Sequence, residues 1–482
     1  MHYNFLKSFF TNEWWRLVAL IPVIGFITLL FLGFDGLFGQ DSYEYLRYAK
    51  RLKIYISGGA FPGDIVWPKA YLGILSFGLF FVKGALAGQL LSFCCFLGTA
   101  LALYKSLVVL YKEERIAKIY VTLAFLLSGY MFRSSVVVMS DAFSVFFLSI
   151  AFYHALIYTK LLNFKNIALF SLAVSLGFFG RYAVLVPLAP IILWVVYSWI
   201  KGKQLTHAFV LLIFIGVYLI NAHLEGSGSL LLNHHMVEQW SISNFFETEF
   251  FNTIDPQQPS ASFLLPNLLY NAVGLFHPGF FILSPFLIFF SNISLKPRNE
   301  TVILVLSCGL YLIFLSGLIF QSSRYISLIY PLFLMLFFPA FIKFWGNVKR
   351  WNHKLKQLFI LLIIGLQLTL LARSMWPSYK MNKLEREVTD SLSKFEGSTL
   401  YSFELDIALQ QRGVKMNYKS LWEQQYTSFE IGDLVLFNPE RVNQTYTGKN
   451  PMVNWERLST SHSLATMESF KDGWKLYKIE KN

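Results

Sequence analysis

Long apolar runs recur along the chain, separated by short polar and often basic breaks. Leu17 to Leu32, Ala85 to Tyr104 and Val302 to Phe320 each approach the roughly 20 residues that a helix needs to cross a hydrocarbon core. Counting such runs predicts about eleven membrane helices, the last over about Leu358 to Leu371. Pro68 through Val82 is too short to cross and is followed by Lys83 and Gly84, so it reads as an interfacial or re-entrant helix ahead of the second membrane helix. After Arg373 the pattern gives way to an ordinary polar mixture, which sets a domain boundary near Pro377. In that tail Thr399 to Phe403, Asp433 to Phe437 and the alternating Trp474 to Ile479 read as strands, and Glu404 to Arg412 as a helix. The expected fold class is therefore an α-helical polytopic membrane protein over residues 1–373, with a small soluble α/β domain at 374–482.

Composition agrees with the pattern. Of 482 residues, 55% are hydrophobic and 14% charged, against about 25% charged in an ordinary soluble domain. The net charge of +13 raises nucleic acid as a partner. The basic residues are dispersed among membrane segments, however, and that reading is rejected. Cys94, Cys95 and Cys308 fall inside apolar runs and offer neither a disulfide framework nor metal-ligand spacing. Lys7 and Arg16 precede the first run and no small-residue cleavage site follows it, so a retained helix is expected.

Charge then fixes sidedness, because Lys and Arg concentrate in short cytoplasmic loops. With the N-terminus inside, Lys105, Lys112, Arg115 and Lys118, then Lys160 with Lys165, Lys201 with Lys203, Lys296 with Arg298, and Lys343 through Lys356 all fall inside. The long connection 221–265 falls outside; it has no Lys or Arg but contains Glu225, Glu238, Glu247, Glu249 and Asp255. Only the first outer loop, 35–69, is basic on the wrong side. The tail after Arg373 is extracytoplasmic in this topology.

That first loop is chemically the richest stretch, with Asp35, Asp41, Glu44 and Asp64 among aromatics and bases. From Asp41 a helix places Tyr45, Tyr48, Leu52 and Tyr55 on one face and Arg47, Lys50 and Arg51 on the other, as in a helix lying in the membrane interface. Asp41 and Glu44 have the spacing of a capping box, and on local pattern alone capping is the better reading of Asp41. Asp141 opens a later helix and reads locally as an N-terminal cap.

The run from Asp41-Ser42 through Tyr45 and Ala49, followed by Trp67-Pro68-Lys69-Ala70-Tyr71, resembles the GT-C glycosyltransferases that take sugars from polyprenyl phosphates. Asp141 in VVMSDAF and Arg324-Tyr325 in QSSRYISLIYP continue the resemblance in order, over roughly residues 1–345. The chain departs from the commoner Asp-Glu of that first loop in having Asp41-Ser42, and from the frequent second-loop Glu in having Asp141. Similar enzymes include protein O-mannosyltransferases, lipid A aminoarabinose transferases and lipopolysaccharide core glycosyltransferases.

The resemblance implies a GT-C-like fold and an inverting transfer of one sugar from a lipid-linked donor to a glycan, lipid or protein acceptor. The site and tail would then lie on the periplasmic or extracellular side of a bacterial inner or plasma membrane. Asp41 is the candidate base, and Asp141 would orient the acceptor or the base. Arg324 and Tyr325, then Arg181 and Lys69, are candidate contacts of the donor phosphate, although interface snorkelling is the ordinary reading of such cations. Asp35, Tyr45, Tyr71 and His277 are possible substrate contacts. His234 with His235 lacks a third ligand, so no metal and no cofactor is expected. The alternatives are a transporter of a lipid-linked glycan and a polyprenyl-diphosphate-glycan polymerase or ligase. The tail shows no recognisable catalytic set, and its ordinary role is a packing cap.

Overall fold

A computed structural model describes residues 14–63, 67–225, 240–247, 265–291, 298–318 and 321–481. Lys7, Asp64, His234, His235, Glu238, Glu249, Asp255 and Lys296 lie outside the described residues, as do the side chains of Leu224 and Glu225.

Among those residues, eight helices are long and apolar enough to cross a membrane, from Trp14–Phe31 to His353–Phe395, and a bent pair gives up to nine. Their outer faces carry large apolar side chains such as Phe31, Leu193 and Phe209, each more than half exposed. In water such a surface would drive aggregation; in lipid it is the ordinary solvent-facing side. The chain is an integral membrane protein. The expected count of about eleven crossings also takes in the shorter apolar helix Phe164–Gly180 and the apolar stretch before Phe290. That stretch is broken into Asn267–Gly274, Ser284–Leu287 and Ile288–Phe290.

Two departures from straight helices shape the site. After the basic group Arg115 and Lys118 the chain runs apolar toward Arg133, the pattern of one straight membrane helix. In the structure Glu114–Leu126 and Gly129–Val136 meet at a bend of 66°. The bend follows a π-helical turn at Val121–Leu126, and Ser128 restarts the helix by accepting a hydrogen bond from the Met131 amide. The expected short helix is also present as Ala70–Gly78 ahead of Ala85–Tyr111.

Helix Gly39–Ile56 splits its faces as its sequence predicts: Tyr45, Tyr48 and Leu52 are buried, while Lys50 and Arg51 are exposed. Its start corrects the capping-box reading. The helix begins at Gly39, and no side chain caps it. Glu44 pairs with Arg47 on the same helix, and Asp41 pairs with Arg324.

The tail forms a five-stranded sheet in the order β2-β1-β3-β5-β4, with β1 at Thr399–Ser402, β2 at Asn417–Ser420, β3 at Leu434–Phe437, β4 at Ser463–Ser469 and β5 at Lys475–Glu480. β1 runs parallel to β2 and β3, and β5 antiparallel to β3 and β4. β3 is central and covered on both faces, which explains its uninterrupted Leu-Val-Leu-Phe. Helix Asp406–Gln411 crosses between β1 and β2 and buries Ala408 in the same apolar cluster as Tyr45 and Tyr48. The tail thus docks on the surface helix. The change of composition near Pro377 falls within a helix that continues from His353 to Leu392 before the sheet begins.

Candidate active site

The loop from Gly33 to Phe38 is pinned before the first helix of the site begins. Gln89 donates from Nε2 to the carbonyls of Phe34 at 3.3 Å and Val136 at 3.2 Å, and the Val138 amide donates to Gly36 at 2.9 Å. Gly36 has a φ of +77°, and a Cβ there would sit 2.3 Å from Gln89 Cγ. Only glycine allows both the turn and the approach. Tyr45 then ties the surface helix to the next element through a 3.0 Å contact between its hydroxyl and Ser140 Oγ. Asp41, in the first turn after this loop, and Asp141, beside Ser140, are thereby brought to one place.

Between them stands Arg324. Its Nη1 donates to Asp41 Oδ2 at 2.8 Å and its Nε donates to Asp141 Oδ2 at 2.9 Å. Arg181 holds the other Asp141 oxygen. Asp141 is 2% exposed, whereas the Asp41 side chain is 32% exposed. The difference divides the two acids: Asp141 is enclosed with both oxygens engaged by guanidinium groups, and Asp41 opens to a cavity. Asp141 does not cap its helix, which correspondingly starts without a side-chain cap. Two acids against two cations leave the cluster neutral, the condition under which the charge of the buried Asp141 persists in a poorly hydrated interior. Arg324 is itself fixed by its turn, since Ser322 Oγ accepts from the Arg324 amide at 3.1 Å.

The remaining expected residues divide. Tyr325 lies under the Arg181 guanidinium, 5.2 Å from the ring centre. Tyr45 and Tyr71 are buried, with ring centres 5.3 Å apart, and form the packing behind Asp41. Lys69 is buried and sits outside the cavity's lining. His277 accepts the Gly279 amide at 3.0 Å and stacks on Tyr130, also apart from that lining. Asp35 accepts from Arg412 of the tail at 2.8 Å and belongs to a joint between domains. Among the described residues, no group of three or more His, Cys, Asp or Glu converges as a metal site.

Asp41, Asp141 and Arg324 form one wall of a cavity of about 760 Å3, a volume within the range of small-molecule sites. Arg133 and Ser134, brought in by the bent helix, line it as well. A second wall comes from the tail, with Phe403, Glu404, Trp422, Arg441 and Tyr446 among its residues. Sequence reading missed this wall. Its residues are spread over 403–446 with no periodic relation, and only the sheet order brings them together.

No family model matches the sequence, and no curated protein matches it. Solved structures do. ArnT from Cupriavidus metallidurans bound to undecaprenyl phosphate superposes with a TM-score of 0.58 at 12% identity, covering 97% of this chain and 98% of that one. The oligosaccharyltransferase from Archaeoglobus fulgidus, tethered to an acceptor peptide, gives 0.51 at 11% identity over 98% of this chain and 75% of that one. Both are GT-C membrane glycosyltransferases. The chain has the GT-C fold, as the resemblance of its first loop implies.

Proposed function

We propose that this chain is an inverting glycosyltransferase that moves a single sugar from a polyprenyl-phosphate-linked donor to an acceptor at the outer face of its membrane. The observation that carries this reading is the Asp41–Arg324–Asp141 bridge on the wall of the cavity. The GT-C fold supports it, as does the undecaprenyl phosphate bound to ArnT. A bacterial inner or plasma membrane, with the site on the periplasmic or extracellular side, agrees with the charge of the loops at the other end, among them Lys105, Lys112, Arg115 and Lys118.

In this mechanism the acceptor hydroxyl gives its proton to Asp41 while its oxygen bonds to the anomeric carbon on the face opposite the phosphate. The carbon–oxygen bond to phosphate breaks, and its electron pair leaves with the phosphate. Arg324 meets the charge growing there with charge-assisted hydrogen bonds, and the leaving group needs no metal ion for that purpose. Arriving phosphate competes for the donors that Arg324 gives to Asp41, so donor binding frees the Asp41 carboxylate for the acceptor. Asp141 is a positioning residue that holds Arg181 and Arg324 in place.

The test uses the full chain in lipid nanodiscs. Asp41→Asn should lower transfer by about 10²- to 10⁴-fold, the range of general-base catalysis, while undecaprenyl phosphate still binds. A variant with wild-type turnover would remove Asp41 from the base role. Net lipid translocation without a new glycosidic bond, read by mass spectrometry, would replace the enzyme reading with a transporter.

A further inference from the structure

The tail's wall of the cavity has its own chemistry, separate from that of the acidic pair and its arginines. Trp422 is 47% exposed although it lines a cavity. Phe403 stacks on it with ring centres 5.6 Å apart and planes 14° from parallel. Tyr446 meets both rings edge-on, at 5.0 Å from Phe403 and 5.6 Å from Trp422. Three rings fixed against one another form a rigid platform that loses little freedom when a ligand lies on it.

Beside the platform stands Glu404, next in sequence to Phe403. It is held at a φ of +70°, a left-handed conformation that costs a non-glycine residue energy and persists only where the surroundings impose it. Arg441 Nη2 lies 2.8 Å from Glu404 Oε2, so the two form a largely buried ion pair. The pair places a carboxylate and a guanidinium in the same cavity lining as the three rings.

We propose that this wall is an acceptor subsite for a neutral sugar, whose ring stacks on the Trp422 platform while its hydroxyls bond Glu404 and Arg441. The proposal rests on the glycosyl-transfer reading for the word acceptor, but the sugar site stands on its own geometry. A sugar ring presents an apolar C–H face together with hydroxyls that both donate and accept. A carboxylate, a guanidinium and an aromatic plane match that combination. Charge argues against an anionic acceptor, because Glu404, Asp406 and Glu423 line this wall against the single cation Arg441 and would repel a phosphate or carboxylate. Asp41 lines the same cavity, so a sugar on the platform shares that space with the proposed base. The transfer would then extend a glycan already present on the outer face.

The test uses the full chain in nanodiscs with two probes: neutral disaccharides such as lactose and chitobiose, observed by saturation-transfer NMR, and undecaprenyl phosphate. Trp422→Ala should weaken disaccharide binding by about tenfold and leave undecaprenyl phosphate binding unchanged. Trp422→Phe should restore most of the sugar signal, and Glu404→Gln should weaken it without touching the lipid. Arg324→Ala should do the reverse, losing the lipid and keeping the sugar. Disaccharide binding that ignores Trp422→Ala, no disaccharide binding to the wild type, or preference for an oligopeptide or a sugar phosphate would each overturn the subsite. If the wild type binds disaccharide at Trp422 but no undecaprenyl phosphate, the transfer reading fails and the sugar site remains.

Discussion

Both oxygens of Asp141 are taken up by Arg181 and Arg324 in a place only 2% exposed, so its loss strands two cations. Asp141→Asn should destabilise the chain by about 3–5 kcal/mol, the usual cost of breaking a buried pair from one side. Thermal unfolding in detergent reads it directly, and a shift within error would show that Asp41 alone suffices to hold Arg324. Glu404 offers a pH test. Burial raises its carboxyl pKa above the ordinary range, with Arg441 opposing. An acid raised on folding contributes stability that is present at low pH and is lost as pH rises through the raised value. Glu404→Gln should therefore flatten the fall of unfolding temperature above the usual carboxylate range; a variant that tracks the wild type at every pH would contradict this. At this scale the sequence was informative where charge and sidedness acted together. Asp41, Asp141, Arg181 and Arg324 were all placed at one membrane surface, and the structure joins them by hydrogen bonds and ion pairs. The error was local. The D-x-x-E spacing points to a capping box, but a cation from residue 324 binds Asp41, and no neighbour along the chain can signal that contact.

Elements differ in legibility for a reason that lies in what they bury. Helix Gly39–Ile56 hides tyrosines and a leucine, so its buried face stands out in the sequence. The extension of helix His353–Leu392 beyond Pro377 buries Ser378, Asn382, Glu385 and Ser391 as well as Met381, Leu384, Val388 and Leu392, so half of its buried face is polar. A polar stripe reads as solvent-facing, and Pro377 reads as a stop, so the continuation was not visible. The same helix packs closely on the bent one. Ser374 Oγ donates to the Gly129 carbonyl at 2.8 Å, and a Cβ at Gly129 would lie 2.9 Å from the Leu370 carbonyl oxygen. Gly129→Ala should force the two helices apart at a cost of about 1–3 kcal/mol, and should disturb Arg133 and Ser134 in the cavity wall. Unfolding temperature and undecaprenyl phosphate affinity measured on one preparation check both effects. Unchanged values would mean that the bend has room to move.

At the scale of the molecule, the cavity exists only while the tail stays docked. Arg412 follows the helix that packs on the membrane domain and reaches two carboxylates there, Asp35 at 2.8 Å and Glu385 at 3.2 Å. Tyr43 adds a hydrogen bond to Glu385, and Asn382 one to Asp35. One cation thus ties the first outer loop, the long final helix and the sheet domain together, with Ala408 packed beside it. Of the two acids Glu385 is the more enclosed, at 3% against 32% for Asp35, so removing Arg412 leaves a buried carboxyl group without its cation. Arg412→Ala should loosen docking without unfolding either part. Limited proteolysis at Ser393–Ser398, the connection between the final helix and β1, should then speed up by about tenfold, as expected when a local opening becomes easier by ~1.4 kcal/mol. Transfer should fall with it, because the wall bearing Trp422 withdraws from Asp41, while binding of undecaprenyl phosphate to the membrane domain persists. Proteolysis at the wild-type rate would instead assign docking to the apolar contact around Ala408, and Ala408→Asp would then be the substitution that opens the cavity.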